Sequence, residues 1–230
     1  MANICDFTMK LRGERSAVET LISWLQADYH YVVDSERKVS LNEINPELNK
    51  KLIYKKDGCT LYTTAERHFR RVFEYYGEQF TEEEDGSCTY VGRGCCAWSC
   101  YDCMFTGVPT DKDNATLNLR KMVSDEIGDH FALYAEHVIT LPEACKTLRV
   151  SAELYSHEPG CQIAEYFLVD DSGDVVINEI YEYSEVWFDD ECGTREEAEE
   201  FIGRPLTDEE WDNGYVVECD IDPENPDWEI

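Results

Sequence analysis

The stretch LRVSAELYSHEPGCQIAEYFLVDDSGDVVINEIYEYSEVW, residues 148–187, decides the fold class of this chain. It contains three runs that are rich in β-branched and aromatic residues, which favour strands. Glu158-Pro159-Gly160 and Asp171-Ser172-Gly173 separate the runs, and both have the composition of tight turns. The pattern therefore predicts an antiparallel meander of three strands, at residues 148–156, 161–170 and 174–187.

Upstream of the meander, the N-terminal segment has the pattern of a strand followed by a helix. Residues 3–12 partly alternate between apolar and polar side chains and end at Gly13, which predicts a strand. Ser16 and Glu19 have the spacing of a capping box. Because apolar residues follow at helical spacing, we expect an amphipathic helix over residues 16–26 that buries Val18, Leu21, Ile22 and Leu25.

Between these two regions the sequence predicts a hairpin and a short helix. Aromatic-rich runs at 67–80 and 87–98 flank Asp85-Gly86, a dipeptide typical of hairpin turns. Thr140 and Glu143 have capping-box spacing, so a helix is expected at 141–147. The remaining expected elements are short strands at 52–55 and 59–63, a loop around Asn45-Pro46 and a helix at 117–129.

Downstream of the meander, Thr194 with Glu197 and Thr207 with Glu210 predict the starts of two short acidic helices. The last eight residues are expected to form an extended tail. The whole pattern predicts an α+β fold with a mostly antiparallel sheet and helices on one face. We expect one domain over residues 1–188, with residues 189–230 packed on it as an acidic C-terminal helical extension.

The order of these elements resembles that of a known family. Asn3-Ile4-Cys5 opens a strand, Ala97-Trp98-Ser99 ends the predicted hairpin, and Glu158-Pro159-Gly160 precedes another strand. This order resembles the YubB-type ferredoxin-like domain family of plasmids, phages and other mobile elements. The resemblance implies a ferredoxin-like fold and a mobile-element origin, but no reaction. It covers residues 1–30 and 85–188 and fails at Cys100-Tyr101, where typical members have prolines, and in the acidic extension.

The overall charge excludes several classes of function. The chain has 50 acidic and 20 basic residues and a formal net charge of −30. Direct binding to nucleic acid needs clustered Lys and Arg, and an anionic membrane would repel such a chain. A hydrophobic content of 43% argues against a disordered protein.

The termini and the cysteines indicate a compartment. The first residues lack the basic region and apolar run of a signal peptide, and no stretch approaches the ~18 apolar residues of a membrane span. The chain has eleven cysteines, of which Cys95 and Cys96 are adjacent. We therefore expect free thiols in a reducing cytoplasm.

The negative charge is concentrated in the last third of the chain. The net charge is +2 over residues 1–72, −8 over residues 73–150 and −24 over residues 151–230. The last third contains 26 acidic residues and only two basic ones, Arg195 and Arg204. Because aromatic residues are interleaved with the acids, the segment can anchor to a core, which predicts a folded acidic surface.

A folded array of carboxylates at phosphate-like spacing can occupy the basic channel of a protein that binds nucleic acid. We therefore expect a phage or mobile-element protein that binds a Cas effector or a restriction enzyme, as an anti-CRISPR or anti-restriction DNA mimic. Trp187, Phe188 and Trp211 are expected to give directional contacts. A solvated surface that only keeps the protein soluble is the alternative. The residues expected to contact the partner are Glu179, Glu182, Glu185, Trp187, Asp189, Asp190, Glu191, Glu196, Glu197, Glu200, Asp208, Glu209, Glu210, Trp211 and Asp212.

A cysteine-rich segment supports a second hypothesis. Cys95-x4-Cys100-x2-Cys103, with Cys145 or Cys161 downstream, matches the ligand spacing of plant-type [2Fe–2S] proteins. The segment also fits a structural zinc site, a redox CxxC pair or small buried thiols. The alternative function is thus a metal- or small-ligand-binding protein centred on Cys95–Cys103. Buried thiols are the expected state, with no cofactor and no metal.

The sequence contains no motif that indicates catalysis. It has no Gly-rich phosphate loop, no HExxH and no GxSxG, and no His is tied to a Cys by spacing. His157-Glu158 is a weak site candidate. The carboxylates of Asp170-Asp171-Ser172-Gly173-Asp174 suit a calcium ion, although a plain turn accounts for them. We therefore predict that the protein is not an enzyme.

Overall fold

A computed structural model describes residues 3–33, 52–56, 59–107, 131–188, 192–223 and 226–230. The predicted loop at Asn45-Pro46 and the predicted helix at 117–129 lie outside these ranges. The strands are β1 Ile4–Gly13, β2 Tyr29–Val33, β3 Leu52–Lys56, β4 Cys59–Thr63, β5 Val72–Glu82, β6 Cys88–Ala97, β7 Ser151–Glu158, β8 Ile163–Val169, β9 Val175–Trp187 and β10 Tyr215–Cys219. The helices are α1 Arg15–Leu25, α2 Phe131–Ala135, α3 Leu141–Leu148, α4 Arg195–Ile202 and α5 Asp208–Asn213, and Tyr101–Phe105 forms a π-helical turn.

Seven strands form the main sheet, in the order β10-β9-β8-β7-β1-β6-β5, and every pairing is antiparallel. The predicted meander is confirmed as β7, β8 and β9, which pair in sequence order. The predicted hairpin is confirmed as β5 and β6, and Gly86 takes the positive φ of 83° that its turn requires. The α+β class with a mostly antiparallel sheet is therefore confirmed.

β1 lies in the middle of the sheet and supplies the centre of the core. Its alternate residues Cys5, Phe7, Met9 and Leu11 are buried on one face of the sheet. β1 pairs with β6 along its whole length and with β7 from Asp6 to Arg12. Strand periodicity thus places one apolar row on the face that the helices cover.

Two helices cover this face of the sheet. α1 buries Val18, Leu21 and Leu25 as its apolar spacing predicts, whereas Ile22 is only partly buried and Trp24 is buried in addition. The predicted capping box of α1 is wrong, because the helix begins one residue earlier, with Glu14 as N-cap and no side-chain cap bond. Glu19 pairs with Arg15 instead, at 3.1 Å. α3 has the expected capping box, in which Thr140 and Glu143 bond each other's backbone N–H groups.

Two glycines of β6 let aromatic rings lie flat on the sheet. A Cβ atom on Gly92 would lie 2.6 Å from the Tyr75 ring, and one on Gly94 would lie 2.5 Å from the Phe7 ring. The two rings stack with their centroids 5.9 Å apart. Both positions therefore require glycine for close packing rather than for backbone freedom.

The segment after β9 extends the same sheet. β10, which the sequence analysis did not predict, pairs with β9 from Tyr215 opposite Trp187 to Cys219 opposite Tyr183. α4 and α5 begin at the capping boxes that the sequence predicts. Their contacts form a second small core of Phe188, Ala198, Leu206 and Val216.

The C-terminal residues 226–230 lie across the other face of the sheet. The buried Glu153 carboxylate accepts hydrogen bonds from the backbone N–H groups of Glu229 and Ile230. Trp228 packs edge-on against Tyr155, with ring centroids 5.6 Å apart. The expected extended tail is therefore held on the sheet by a buried carboxylate and an aromatic contact.

β2, β4 and β3 form a separate three-stranded sheet. Close to this sheet, the His68 backbone forms an isolated parallel bridge with Val138, in which its N–H donates to His137 and its carbonyl oxygen accepts from Ile139. The His68 ring is fully buried, stacks on Tyr29 at 4.6 Å, and has no hydrogen-bond partner for either ring nitrogen within the described chain. Burial, with the nearby His137, lowers the pKa of His68 to about 3. None of the described helices is long and apolar enough to span a membrane.

We predict that His68→Phe makes folding less sensitive to acid. His68 is neutral in the folded chain but takes up a proton below its ordinary pKa of 6.5 when the chain unfolds. Titration of His68 therefore costs the folded state no stability above pH 6.5. As the pH falls from 6.5 towards 3, protonation of the unfolded chain lowers the free energy of unfolding. Relative to the variant, the wild type should lose about 2 kcal/mol of unfolding free energy between pH 7 and pH 5. Urea unfolding of both proteins at the two pH values measures this, and parallel losses would contradict the prediction.

Candidate functional site

The acidic residues of β9 divide between the two faces of the sheet. Glu179, Glu185 and Trp187 lie on the face that carries the C-terminal residues, whereas Glu182 lies on the face of the helices. This follows from strand alternation, since even and odd positions point to opposite faces. Tyr181 and Tyr183 donate hydrogen bonds to Glu179 and Glu185 respectively. β9 therefore does not present the expected acids as one continuous row.

α4 presents two expected contact residues outward. Glu196 and Glu200 are exposed and lie one helical turn apart. Glu197 is used internally, because its carboxylate accepts the backbone N–H groups of Gly193 and Thr194 at the start of the helix. Its role as the reciprocal half of a capping box is structural.

α5 shows the same division between outward and internal carboxylates. Glu209 and Asp212 are exposed, and neither has an ion-pair partner within the described chain. Asp208 binds Arg195 at 2.8 Å. Glu210 binds Arg204 and the backbone N–H of Thr207. These two bonds lower the pKa of Glu210 to about 2.

Both basic residues of the last third are therefore neutralised inside the acidic segment. Arg195 joins α4 to α5 through Glu199 and Asp208, and Arg204 closes onto α5 through Glu210. The remaining exposed carboxylates have no basic side chain left within residues 151–230 to balance them. These outward carboxylates, Glu196 and Glu200 of α4 and Glu209 and Asp212 of α5, are together called the acidic helix face below.

Aromatic residues flank this segment, but not all that were expected. Trp187 is 55% exposed and packs against Tyr215. Trp211 is half-buried and stacks on Phe188. The expectation that Phe188 contacts a partner is wrong, because its ring is buried in the small core under α4. Phe201, which the sequence analysis did not select, is 53% exposed. Asp189, Asp190 and Glu191 lie outside the described residues.

The cysteines that match the iron–sulfur ligand spacing do not lie together in the structure. Cys95 lies on the opposite face of β6 from Cys96, and its thiol points to Glu74 at 3.5 Å. Cys145 is buried in α3, and Cys161 is exposed beside Asn3. Strand alternation separates Cys95 from its neighbour, so the adjacent Cys96 takes its place beside Cys100.

A buried thiol cluster forms where β6 leaves the sheet. The Sγ atoms of Cys5, Cys96 and Cys100 all lie within 4.8 Å of one another, and those of Cys96 and Cys100 are 3.6 Å apart. Cys103, which is also buried, lies outside this group and donates to the backbone oxygen of Ala97 at 3.0 Å. Cys5, Cys96 and Cys100 are called the thiol cluster. Burial raises the pKa of Cys100, and the neighbouring thiols raise that of Cys96.

A buried carboxylate holds the segment that carries Cys100. Glu165 of β8 accepts the backbone N–H of Cys100 at 2.8 Å and that of Tyr101 at 3.3 Å. It also accepts the Ser156 hydroxyl at 2.7 Å. Burial raises the pKa of Glu165, and the nearby Cys5 adds to this rise. The sequence carried one usable signal for this residue, a glutamate at an inward position of an otherwise apolar strand.

The other candidate groups have structural explanations. His157 lines a pocket of about 240 Å³ with Asp6, Glu74 and Arg93, whereas Glu158 is buried and accepts the backbone N–H groups of Gly160 and Cys161. The side chains of His157 and Glu158 therefore have different surroundings and do not form one site. Asp170 uses one oxygen atom for Ser172 and Asp174 of its own turn.

Comparison of the chain with protein-family models, with curated proteins and with solved structures gives no match. Within the part of the chain that the structure describes, the two features with functional potential are the acidic helix face and the thiol cluster.

We predict that salt stabilises the folded protein through this surface. Raising the NaCl concentration from 0.1 M to 1 M shortens the Debye length from about 10 Å to about 3 Å and screens the repulsion between carboxylates. The combined variant Glu196→Gln, Glu200→Gln, Glu209→Gln, called the acidic-face variant, should therefore gain less unfolding free energy from salt than the wild type. The expected difference is on the order of 1 kcal/mol.

The matched control neutralises three exposed acids elsewhere, Asp28→Asn, Glu66→Gln and Glu84→Gln. Urea unfolding at both salt concentrations compares the three proteins. An acidic-face variant whose salt dependence equals that of the control variant would contradict the prediction.

Proposed function

We propose that this chain is an acidic interaction protein of a phage or other mobile element. It binds a basic host defence protein that handles nucleic acid, such as a Cas effector or a restriction enzyme, and occupies its nucleic-acid channel. The acidic helix face takes the place of the phosphates. The protein acts in the cytoplasm as an anti-CRISPR or anti-restriction factor, by binding rather than by catalysis.

The observation that carries this proposal is the uncompensated charge of α4 and α5. Arg195 and Arg204 are both engaged within the segment, so they cannot neutralise the outward carboxylates. Such a surface costs folding free energy through self-repulsion. Binding to a basic partner explains why the two helices retain these exposed carboxylates.

The spacing and the flanking residues support the same function. Glu196 and Glu200 are four residues apart in a helix, so their carboxylates lie on the same side of α4, about 6 Å apart along its axis. Trp187 and Phe201 are more than half exposed nearby in the chain. Exposed aromatic side chains beside charged groups are typical of the residues that dominate protein interfaces.

Strand order supports the family resemblance. Within the main sheet, the order β7-β1-β6-β5 with α1 after β1 and α3 before β7 corresponds to the βαββαβ order of a ferredoxin-like fold. We propose that these elements form a ferredoxin-like core and that β8, β9 and β10 extend its edge. A ferredoxin-like core is the fold that the resemblance to the YubB-type domains implies. Fold by itself does not define function.

The experiment measures inhibition of defined host enzymes. Purified wild-type protein is added to a panel of Cas nucleases and restriction enzymes, and cleavage of target DNA is followed at low and at physiological salt. We expect inhibition of at least one enzyme, relieved by competing DNA and weakened by salt, because electrostatic complementarity governs the association rate.

The acidic-face variant should lose at least tenfold in inhibition, whereas the control variant, which removes equal charge, should inhibit like the wild type. Trp187→Ala tests the aromatic contact separately. Absence of inhibition across the panel, or equal inhibition by both charge variants, would overturn the proposal.

A further inference from the structure

The thiol cluster brings together ligand atoms from three places in the chain. Cys5 and Cys96 lie opposite each other on β1 and β6, and Cys100 begins the π-helical turn four residues after Cys96. The three Sγ atoms lie within 4.8 Å of one another. Among the residues that the structure describes, this is the grouping with metal-ligand geometry.

We propose that the thiol cluster is a zinc site, with Cys5, Cys96 and Cys100 as three thiolate ligands and Cys103, whose thiol must turn away from the Ala97 carbonyl, as the fourth. The site belongs to the closed, structural class, in which the protein supplies all four ligands. It fastens the start of β1 to the end of β6 and to the π-helical turn. It is independent of the acidic helix face and of the proposed function.

The distance between the Cys96 and Cys100 sulfur atoms matches a single tetrahedral ion. Zn–S bonds of about 2.3 Å place the sulfur atoms of a tetrahedron about 3.8 Å apart. The Cys96 and Cys100 sulfur atoms are 3.6 Å apart, close to this value. A disulfide would need about 2.05 Å between the sulfur atoms. An iron–sulfur cluster places two or more iron atoms between its thiolates and therefore spreads them more widely.

Cys103 completes the set from the next turn of the chain. Its thiol lies outside the group of three sulfur atoms within 4.8 Å of one another, so its side chain must turn to bind the same ion. It donates a hydrogen bond to the backbone oxygen of Ala97 at 3.0 Å, and a thiol is a weak hydrogen-bond donor. Metal binding would convert it into a thiolate. The resulting spacing, three residues between Cys96 and Cys100 and two between Cys100 and Cys103, resembles that of structural zinc sites.

The backbone around the cluster is shaped to bring Cys100 back to Cys96. Trp98 has a positive φ of 70°, an uncommon conformation for a large side chain. The cation–π contact of Arg71 over the Trp98 ring, at 4.7 Å, holds this turn. Glu165 binds the N–H groups of Cys100 and Tyr101 from below. The ligands are therefore preorganised by contacts that do not involve sulfur.

Small apolar thiols filling a core are the competing explanation. That explanation accounts for burial, but it does not require three sulfur atoms from three chain segments to converge. Cys145, which is also buried, lies outside the cluster and shows the isolated arrangement that simple core packing produces. It therefore serves as a matched control.

The test measures metal in the intact protein. The full chain is purified under reducing conditions without chelator, and its metals are quantified by mass spectrometry. We expect one zinc ion per chain. Cobalt(II) added to the metal-free protein should give the intense visible bands of a tetrahedral tetrathiolate site, and zinc should displace them.

Variants identify the ligands. Cys5→Ser, Cys96→Ser and Cys100→Ser should lose zinc, and Cys103→Ser should bind it at least tenfold more weakly. Cys95→Ser, Cys145→Ser and Cys161→Ser should retain one zinc ion per chain. Because a ligand variant can fail to fold, the thermal midpoint of the wild type is also measured with and without a strong chelator, which should lower it.

A folded wild-type protein that contains no zinc, develops no cobalt spectrum and has eleven reactive thiols after unfolding would overturn the proposal. Stoichiometric iron or copper in place of zinc would overturn it as well. Zinc loss in Cys95→Ser with retention in Cys100→Ser would show that the ligand assignment is wrong. None of these results depends on whether the acidic helix face inhibits an enzyme.

Discussion

The structure depends on the double pairing of β1. This strand is hydrogen-bonded to β6 on one side and to β7 on the other, and its alternate residues form the apolar row beneath α1 and α3. Burial of each large side chain in that row stabilises the fold by about 1.5–3 kcal/mol. Because β6 and β7 are far apart in sequence, β1 is the element that joins the hairpin to the meander. The thiol cluster depends directly on this pairing, which places Cys5 opposite Cys96.

Three buried carboxylates organise the regions around that centre. Glu153 binds the C-terminal residues, Glu165 binds the π-helical turn, and Glu158 binds the turn that follows β7. Each accepts backbone N–H groups, so each satisfies donors that would otherwise be buried without partners. In a chain of such negative charge, part of the acidic content is therefore structural. These residues lie outside the surface that we propose to mimic nucleic acid.

The acidic segment shows how a folded chain tolerates its own charge. The capping boxes place Glu197 and Glu210 at helix N-termini, where the helix dipole favours negative charge. Arg195 of α4 binds Asp208 of α5, and Arg204, in the connection between the two helices, binds Glu210 of α5. The small core beneath them, centred on Phe188 and Val216, then anchors the unpaired carboxylates to the sheet through β10.

Local sequence was sufficient to predict the strands of the meander, the β5–β6 hairpin, helices α3, α4 and α5 with their caps, and the α+β class. These features depend on periodicity and on short-range hydrogen bonds, which neighbouring residues determine. It was not sufficient to predict β10, because five residues of mixed polarity become a strand only when the edge of β9 is available to them. Local sequence was also not sufficient to predict that Cys5 lies beside Cys96 and Cys100. Sequence spacing favoured Cys95, but strand alternation points that side chain to the opposite face, and the partner Cys5 is supplied by a strand more than eighty residues away.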